Sequence, residues 1–145
     1  SVINLGSGGV DANISGATYI AYCFAEINGY SSFGSYTGNE NADGIFNYTG
    51  FKPALILIKK SSSSTAQNWR IIDNKRLGYN PKNHPLYPSA QSSEGTSETT
   101  VDFVSTGFKL RGTGGAINSN GTNYIYMAWA ETPMVGTNNI PTTAK

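Results

Sequence analysis

Ala54-Leu55-Ile56-Leu57-Ile58 is the longest apolar run in the chain, and Lys59-Lys60 closes it. Five apolar residues in a row are too few for a buried helix. They suit a strand covered on both faces, the middle of a sheet. Further strands read outward from it. Residues 19–25 alternate, with Ile20, Tyr22 and Phe24 on one face and Tyr19, Ala21, Cys23 and Ala25 on the other. Residues 69–73, 101–104, 108–110 and 124–130 have the same character, and 45–48 more weakly. No stretch places apolar residues at i, i+3, i+4 and i+7 through three turns. The expected fold is therefore all-β: an antiparallel β-sandwich or jelly-roll-like domain of roughly eight strands, with an extra N-terminal β-hairpin. The expected core is Ile20, Phe24, Leu55, Leu57, Trp69, Ile71, Phe103, Phe108, Ile125, Met127 and Trp129.

Asn28-Gly29, Asp43-Gly44 and Asn120-Gly121 mark turns, because a positive φ is cheap there, and Thr106-Gly107 punctuates another. Ser61 to Ser64 reads as an exposed loop. Residues 77–99 hold Pro81, Pro85 and Pro88 and then turn rich in Ser, Glu and Thr. A long irregular surface excursion is expected there, of the kind that often carries function. The tail, 133–145, is expected to be poorly ordered unless docked.

At 145 residues the chain is one domain's length, enough to bury a real core without metal or disulfide. Charged residues are only 13%, and ten Lys and Arg against nine Asp and Glu leave +1. No basic block supports nucleic-acid binding. The longest apolar run falls far short of the ~20 residues of a membrane helix. No signal peptide is visible, and Ser1 in place of Met points to processing or truncation. The single cysteine, Cys23, excludes an intrachain disulfide and is expected as a small buried hydrophobe. Gly, Ser, Thr, Asn and nine Tyr dominate instead. That mixture suits twisted strands and tight turns, and is common in secreted and virion surface proteins.

The chain repeats itself. Gly6-Ser-Gly-Gly9 recurs as Gly112-Thr-Gly-Gly115, and Gly16-Ala-Thr-Tyr-Ile-Ala-Tyr-Cys-Phe-Ala-Glu26 as Gly121-Thr-Asn-Tyr-Ile-Tyr-Met-Ala-Trp-Ala-Glu131. The spacing of about 105 positions fits a tandem domain. Residues 1–26 then read as the terminal strands of a preceding repeat, or a swapped hairpin. Residues 27–132 read as the complete sandwich domain. A lone hairpin is marginal in water, so 1–26 is expected to pack in cis or to pair with another copy.

Several stretches carry a resemblance across nearly the whole chain: residues 22–39, 42–54, Asn68-Trp69, Leu86-Tyr-Pro88, Ser105-Thr-Gly-Phe-Lys-Leu110, Tyr124-Ile-Tyr-Met-Ala-Trp-Ala-Glu131 and the closing Gly136-Thr-Asn-Asn-Ile-Pro141. In this order they resemble a tandem-repeat domain of structural proteins of tailed phages, marine ones especially, which often follows a concanavalin A-like lectin domain. The resemblance implies a virion component outside the cell, a fibre, capsid appendage or decoration. Its partners would be further copies, other virion proteins and a cell-surface glycan. It carries over no catalytic residues and no cofactor.

The residues themselves offer little chemistry. His84 lies between Asn83 and Pro85, and with Asp73 and Asp102 it lacks the nucleophile elbow of a hydrolase. One His and one Cys are too few for zinc. Glu26 and Glu131 occupy equivalent repeat positions, which points to an architectural role. Asn39-Glu-Asn-Ala-Asp43-Gly44 has oxygens for a calcium loop but not the EF-hand spacing, and an Asx-rich turn is the plainer reading. Carbohydrate binding is the best-supported ligand chemistry. Tyr30, Tyr36, Asn39, Asn41 and Asp43 are the candidate site, with Phe33 and Tyr48 beside them. An aromatic face stacks on a sugar while Asn and Asp hold its hydroxyls. Tyr and Phe at strand spacing also serve as core or cross-strand pairs. No enzyme activity is expected.

Overall fold

The computed structural model describes residues 2–3, 13–62, 65–77, 79–96, 101–135 and 141–142. Among these are nine strands and no helix: β1 Ser31–Thr37, β2 Phe46–Tyr48, β3 Pro53–Lys60, β4 Arg70–Asp73, β5 Val101–Val104, β6 Gly107–Leu110, β7 Asn123–Ala130, β8 Met134–Val135 and β9 Pro141–Thr142. Two antiparallel sheets face each other, a four-stranded one in the order β1-β7-β3-β4 and a three-stranded one in the order β2-β6-β5. The β8–β9 ladder forms a separate small pair in the tail.

The apolar run does lie in the middle of a sheet, as β3 between β7 and β4. Its two faces differ. Ile56 and Ile58 point inward with Ile72, Tyr124, Tyr126 and Ala128, and the three-stranded sheet adds Val101, Phe103, Phe108 and Leu110. The Phe108 ring stands edge-on to Tyr126 at 5.1 Å and to Tyr36 at 6.5 Å, which locks one sheet to the other. Phe103 and Phe108 are core residues as expected. Leu55, Leu57, Ile71, Met127 and Trp129 take the opposite pleat and are only half buried, while Ile125 is 40% exposed. The expected core is thus one residue out of phase on this sheet. Both faces are apolar, so alternation alone cannot choose between them. The choice falls to whichever face the second sheet covers. Trp69 is half buried, just ahead of β4.

Residues 19–25 form no strand, and no hairpin is present in the described part, 13–26, of the N-terminal segment. Ile20 and Phe24 are 81% and 56% exposed, so neither belongs to the core. Cys23 is exposed, not buried. A strand needs a neighbour to satisfy its backbone, and among the described residues no strand pairs with residues 19–25. The segment's last residues reach back to β1: the Phe24 ring lies 6.3 Å from Phe33 and 5.4 Å from Trp129, and the Ala25 carbonyl accepts from the Ser31 hydroxyl at 2.8 Å.

The Pro-rich excursion is anchored to both sheets. Leu86 exchanges backbone hydrogen bonds with Ile71 of β4, at 2.9 and 3.0 Å, and Lys82 with Val101 of β5, at 2.7 and 3.0 Å. It therefore closes one open side of the sandwich. The 38–45 connection crosses the other side, from β1 to β2. The predicted turns at Gly29 and Gly121 have φ values of 74° and 66°.

Candidate functional site

The predicted carbohydrate residues do not converge. Tyr36 belongs to the core. It is 7% exposed, its hydroxyl donates to the Ile117 carbonyl at 2.8 Å, and its ring stacks on Tyr124 at 5.1 Å. Burial, reinforced by Tyr124, raises its pKa well above the ordinary tyrosine value. Tyr30 stands at the start of β1 and Asn39 just beyond its end, with seven strand residues of about 3.3 Å each between them. Phe33 faces outward among Phe24 and Trp129. Tyr48 is exposed on β2.

Asn39, Asn41 and Asp43 do sit together, but their oxygens are engaged. The Asn39 side-chain oxygen accepts from the Asn41 N–H at 3.1 Å, and that of Asn41 from the Asp43 N–H at 2.8 Å. The Asp43 carboxylate takes Lys109 at 2.6 Å and Arg111 at 3.4 Å. Its pKa is lowered, first by the Lys109 hydrogen bond. Asn118, fully buried, holds the whole loop. It accepts from the Asn39 N–H and donates to the carbonyls of Asn41 and Gly112. This is a ladder of Asx turns, and it presents no set of free oxygens to a cation.

His84 also lies away from the two aspartates. Its Nδ1 is 3.9 Å from Glu94, whereas Asp73 pairs with Arg76 and Asp102 with Arg111, both at 2.6 Å.

At the opposite end of the sandwich lies a polar cleft of about 170 Å³. Lys52 from before β3, Asn74 from after β4 and Glu131 from after β7 meet there. Tyr79, Asn80 and Lys82 of the excursion complete it, with Phe103 at its base. The Glu131 carboxylate binds Lys52 at 2.7 Å and accepts from the Asn74 amide at 2.7 Å. The Lys52 hydrogen bond is the main reason its pKa falls, against the opposing effect of burial. Glu131 therefore ties the ends of β7, β3 and β4 together, the architectural role expected of it. Lys82 is 4% exposed and donates to the Leu77 carbonyl at 2.6 Å. Loss of solvation and then the charge of Lys52 pull its pKa below the ordinary lysine value, against Asp73 and Glu131. Leu77 has a φ of 49°, costly for a leucine, and the Lys82 hydrogen bond holds it there. Tyr79 is 69% exposed at the rim.

Chemically the cleft presents an exposed aromatic face beside polar groups that hold one another: Lys52 and Asn74 bind Glu131, Lys82 donates to Leu77, and the Asn80 amide exchanges hydrogen bonds with the Phe103 backbone at 2.9 and 3.0 Å. Glu131 is the sole carboxylate lining it among the described residues, so it lacks the acid–base pair of a glycosidase. Its members come from five separate stretches, and only the length of the Pro-rich loop hinted at it. A second, shallower cavity of about 370 Å³ lies under Tyr87, whose ring covers Arg70 at 5.3 Å.

Residues 1–133 match the family described as a domain of unknown function, DUF7483. The chain belongs to the DUF7483 family. No curated protein and no solved structure matches it. The matched span takes in both the sandwich of this DUF7483 domain and the N-terminal segment ahead of it, whose described residues 13–26 form no strand.

Proposed function

We propose that the chain is a non-catalytic structural and adhesive module of a tailed-phage particle, a fibre, capsid appendage or decoration, acting outside the cell. One observation carries the reading: the outer face of the four-stranded sheet is apolar and half open. Phe33, Met127, Leu57 and Ile71 pair in a single row across β1, β7, β3 and β4, and Leu86 extends it. Trp129 and Leu55 lie in the next row, and Ile125, Leu86 and Phe24 are 40%, 41% and 56% exposed. Apolar surface of this extent marks a contact surface. The resemblance to phage structural repeats names the contacts: further copies and other virion proteins. Many copies with weak contacts give avidity without a deep pocket.

Sedimentation at rising concentration tests it. The full chain should self-associate, and the double variant Ile125→Lys with Leu86→Lys, placed where side chains are already exposed, should remain monomeric. Equal, concentration-independent monomers would sink the reading.

A second reading, lectin-like binding of a cell-surface glycan, is favoured by the cleft under Tyr79. Tyr79→Ala should then weaken glycan capture about two- to tenfold, because an aromatic contact contributes about 0.5–1.5 kcal/mol. Unchanged capture would exclude the cleft.

A further inference from the structure

We propose that residues 19–26 are a seventh strand without its sheet, and that their place is between β1 and β3 of a second copy of this domain lying ahead of them. Such a role goes beyond that of a particle component and does not depend on it.

The sequence repeat is matched by a structural one. Gly121 precedes β7 with a φ of 66°, and Gly16 stands at the equivalent position with a φ of 79°. The Thr122 N–H bonds the Ser119 carbonyl at 3.2 Å, and the Ala17 N–H bonds the Ile14 carbonyl at 3.1 Å. The Tyr124 hydroxyl accepts from the Ser119 N–H at 2.9 Å, and the Tyr19 hydroxyl accepts from the Ile14 N–H at the same distance. The turn that launches β7 is therefore already built at residues 14–19. Only the sheet is missing.

The stretch beyond this turn is out of place. In β7 the pattern buries Tyr124, Tyr126 and Ala128 at 0%, 8% and 0% exposure. In the N-terminal segment the residues at those positions, Tyr19, Ala21 and Cys23, are all exposed, and so are Ile20, Tyr22 and Phe24, which match Ile125, Met127 and Trp129 of the outer face. Apolar alternation of this kind is favourable only when one face is covered. The slot that covers it in this domain is filled by β7 itself, so the segment's slot belongs to another copy. Glu131, the end of the pattern, is held by Lys52 and Asn74, whereas the Glu26 carboxylate is met by the Ser32 hydroxyl at 3.2 Å. In the other copy, Glu26 would find the counterparts of Lys52 and Asn74. Phe24 would occupy the Trp129 position of that copy while resting on Phe33 and Trp129 of this one. The two outer faces thus meet at an aromatic joint, with residues 27–30 between strand and strand.

Cys23 reports on the outcome, because it takes the position of Ala128, which is 0% exposed. The experiment places a copy of residues 27–105 ahead of Ser1 of the full chain, so that Ser1 stands where Thr106 does here. There Val2-Ile3-Asn4-Leu5 continues it as Gly107-Phe108-Lys109-Leu110 does here, with apolar residues in the same two places. Reaction with an aromatic disulfide reagent is then timed. The extended chain should protect the Cys23 thiol at least about 100-fold relative to the present chain, since modification would need the new sheet to open. A Cys23 that reacts at an undiminished rate overturns the proposal. So does a front copy that stays open with the native segment but closes when residues 16–26 are exchanged for 121–131. The readout is intramolecular, so it is independent of the sedimentation result.

Discussion

Gly34 stands opposite Tyr126 on the inner face of the four-stranded sheet, and the tyrosine ring lies over it. A Cβ added at Gly34 would come within 2.8–2.9 Å of that ring. Gly34→Val should therefore displace Tyr126 from its edge contact with Phe108. It should lower unfolding free energy by about 1–3 kcal/mol in urea titration. The same inward row explains why Tyr36 is a core residue. A tyrosine two positions beyond a glycine, on a Ser-rich stretch, looks like a surface aromatic in the sequence. In the fold it stacks on Tyr124 and gives its hydroxyl to Ile117. The neighbouring Asn39, Asn41 and Asp43 were legible as an Asx turn from composition alone, because those side chains bond locally wherever they stand. Asn118, which pins them, comes from almost eighty positions away and carries no local signal.

At the scale of elements, the strand ends are fastened by carboxylates. Asp73 closes β4: its Oδ1 accepts from the N–H groups of Lys75 and Arg76, and its Oδ2 from Arg76 Nε at 2.6 Å. Arg76 in turn reaches Glu94 of the excursion at 2.6 Å. Burial opposes ionisation of Asp73, but the Arg76 and Lys75 hydrogen bonds prevail and its pKa is lowered, as is that of Glu131. Both groups bind fewer protons folded than unfolded. The stability they contribute is present above the ordinary carboxylate values near pH 4 and is lost as pH falls through the depressed folded values. The thermal midpoint should therefore hold steady from about pH 7 to 5 and drop below about pH 4. Asp73→Asn should flatten that drop, at a cost of about 1 kcal/mol at neutral pH. The strand pattern was mostly readable, since β3, β4, β5 and β7 are rich in Ile, Val, Leu and aromatic residues. β1, Ser-Ser-Phe-Gly-Ser-Tyr-Thr, dilutes Phe33, Tyr36 and Thr37 with three Ser and a Gly, and as an edge strand it is held by pairing with β7.

For the whole molecule, the core draws on residues from Tyr36 to Ala128 and on none of the described residues of the N-terminal segment. Deleting residues 1–26 should therefore cost less than about 2 kcal/mol in chemical denaturation, chiefly the Phe24 contacts with Phe33 and Trp129. A collapse of the unfolding transition would show instead that the segment is part of the sandwich. The sequence by itself determined the class of fold, the central strand, the turns and the repeat, because each is written in local chemistry: alternation, apolar run length, glycines that tolerate a positive φ, and matching letters. Packing between distant segments set which face of the four-stranded sheet is the core, which tyrosines are buried, and where Lys52, Asn74, Lys82 and Glu131 meet. It also decided that one copy of the repeated pattern is a strand and the other is not. These outcomes depend on what packs against a segment. Two segments with nearly the same sequence differ because one has neighbours to pair with and cover it, and the other has none within its own domain.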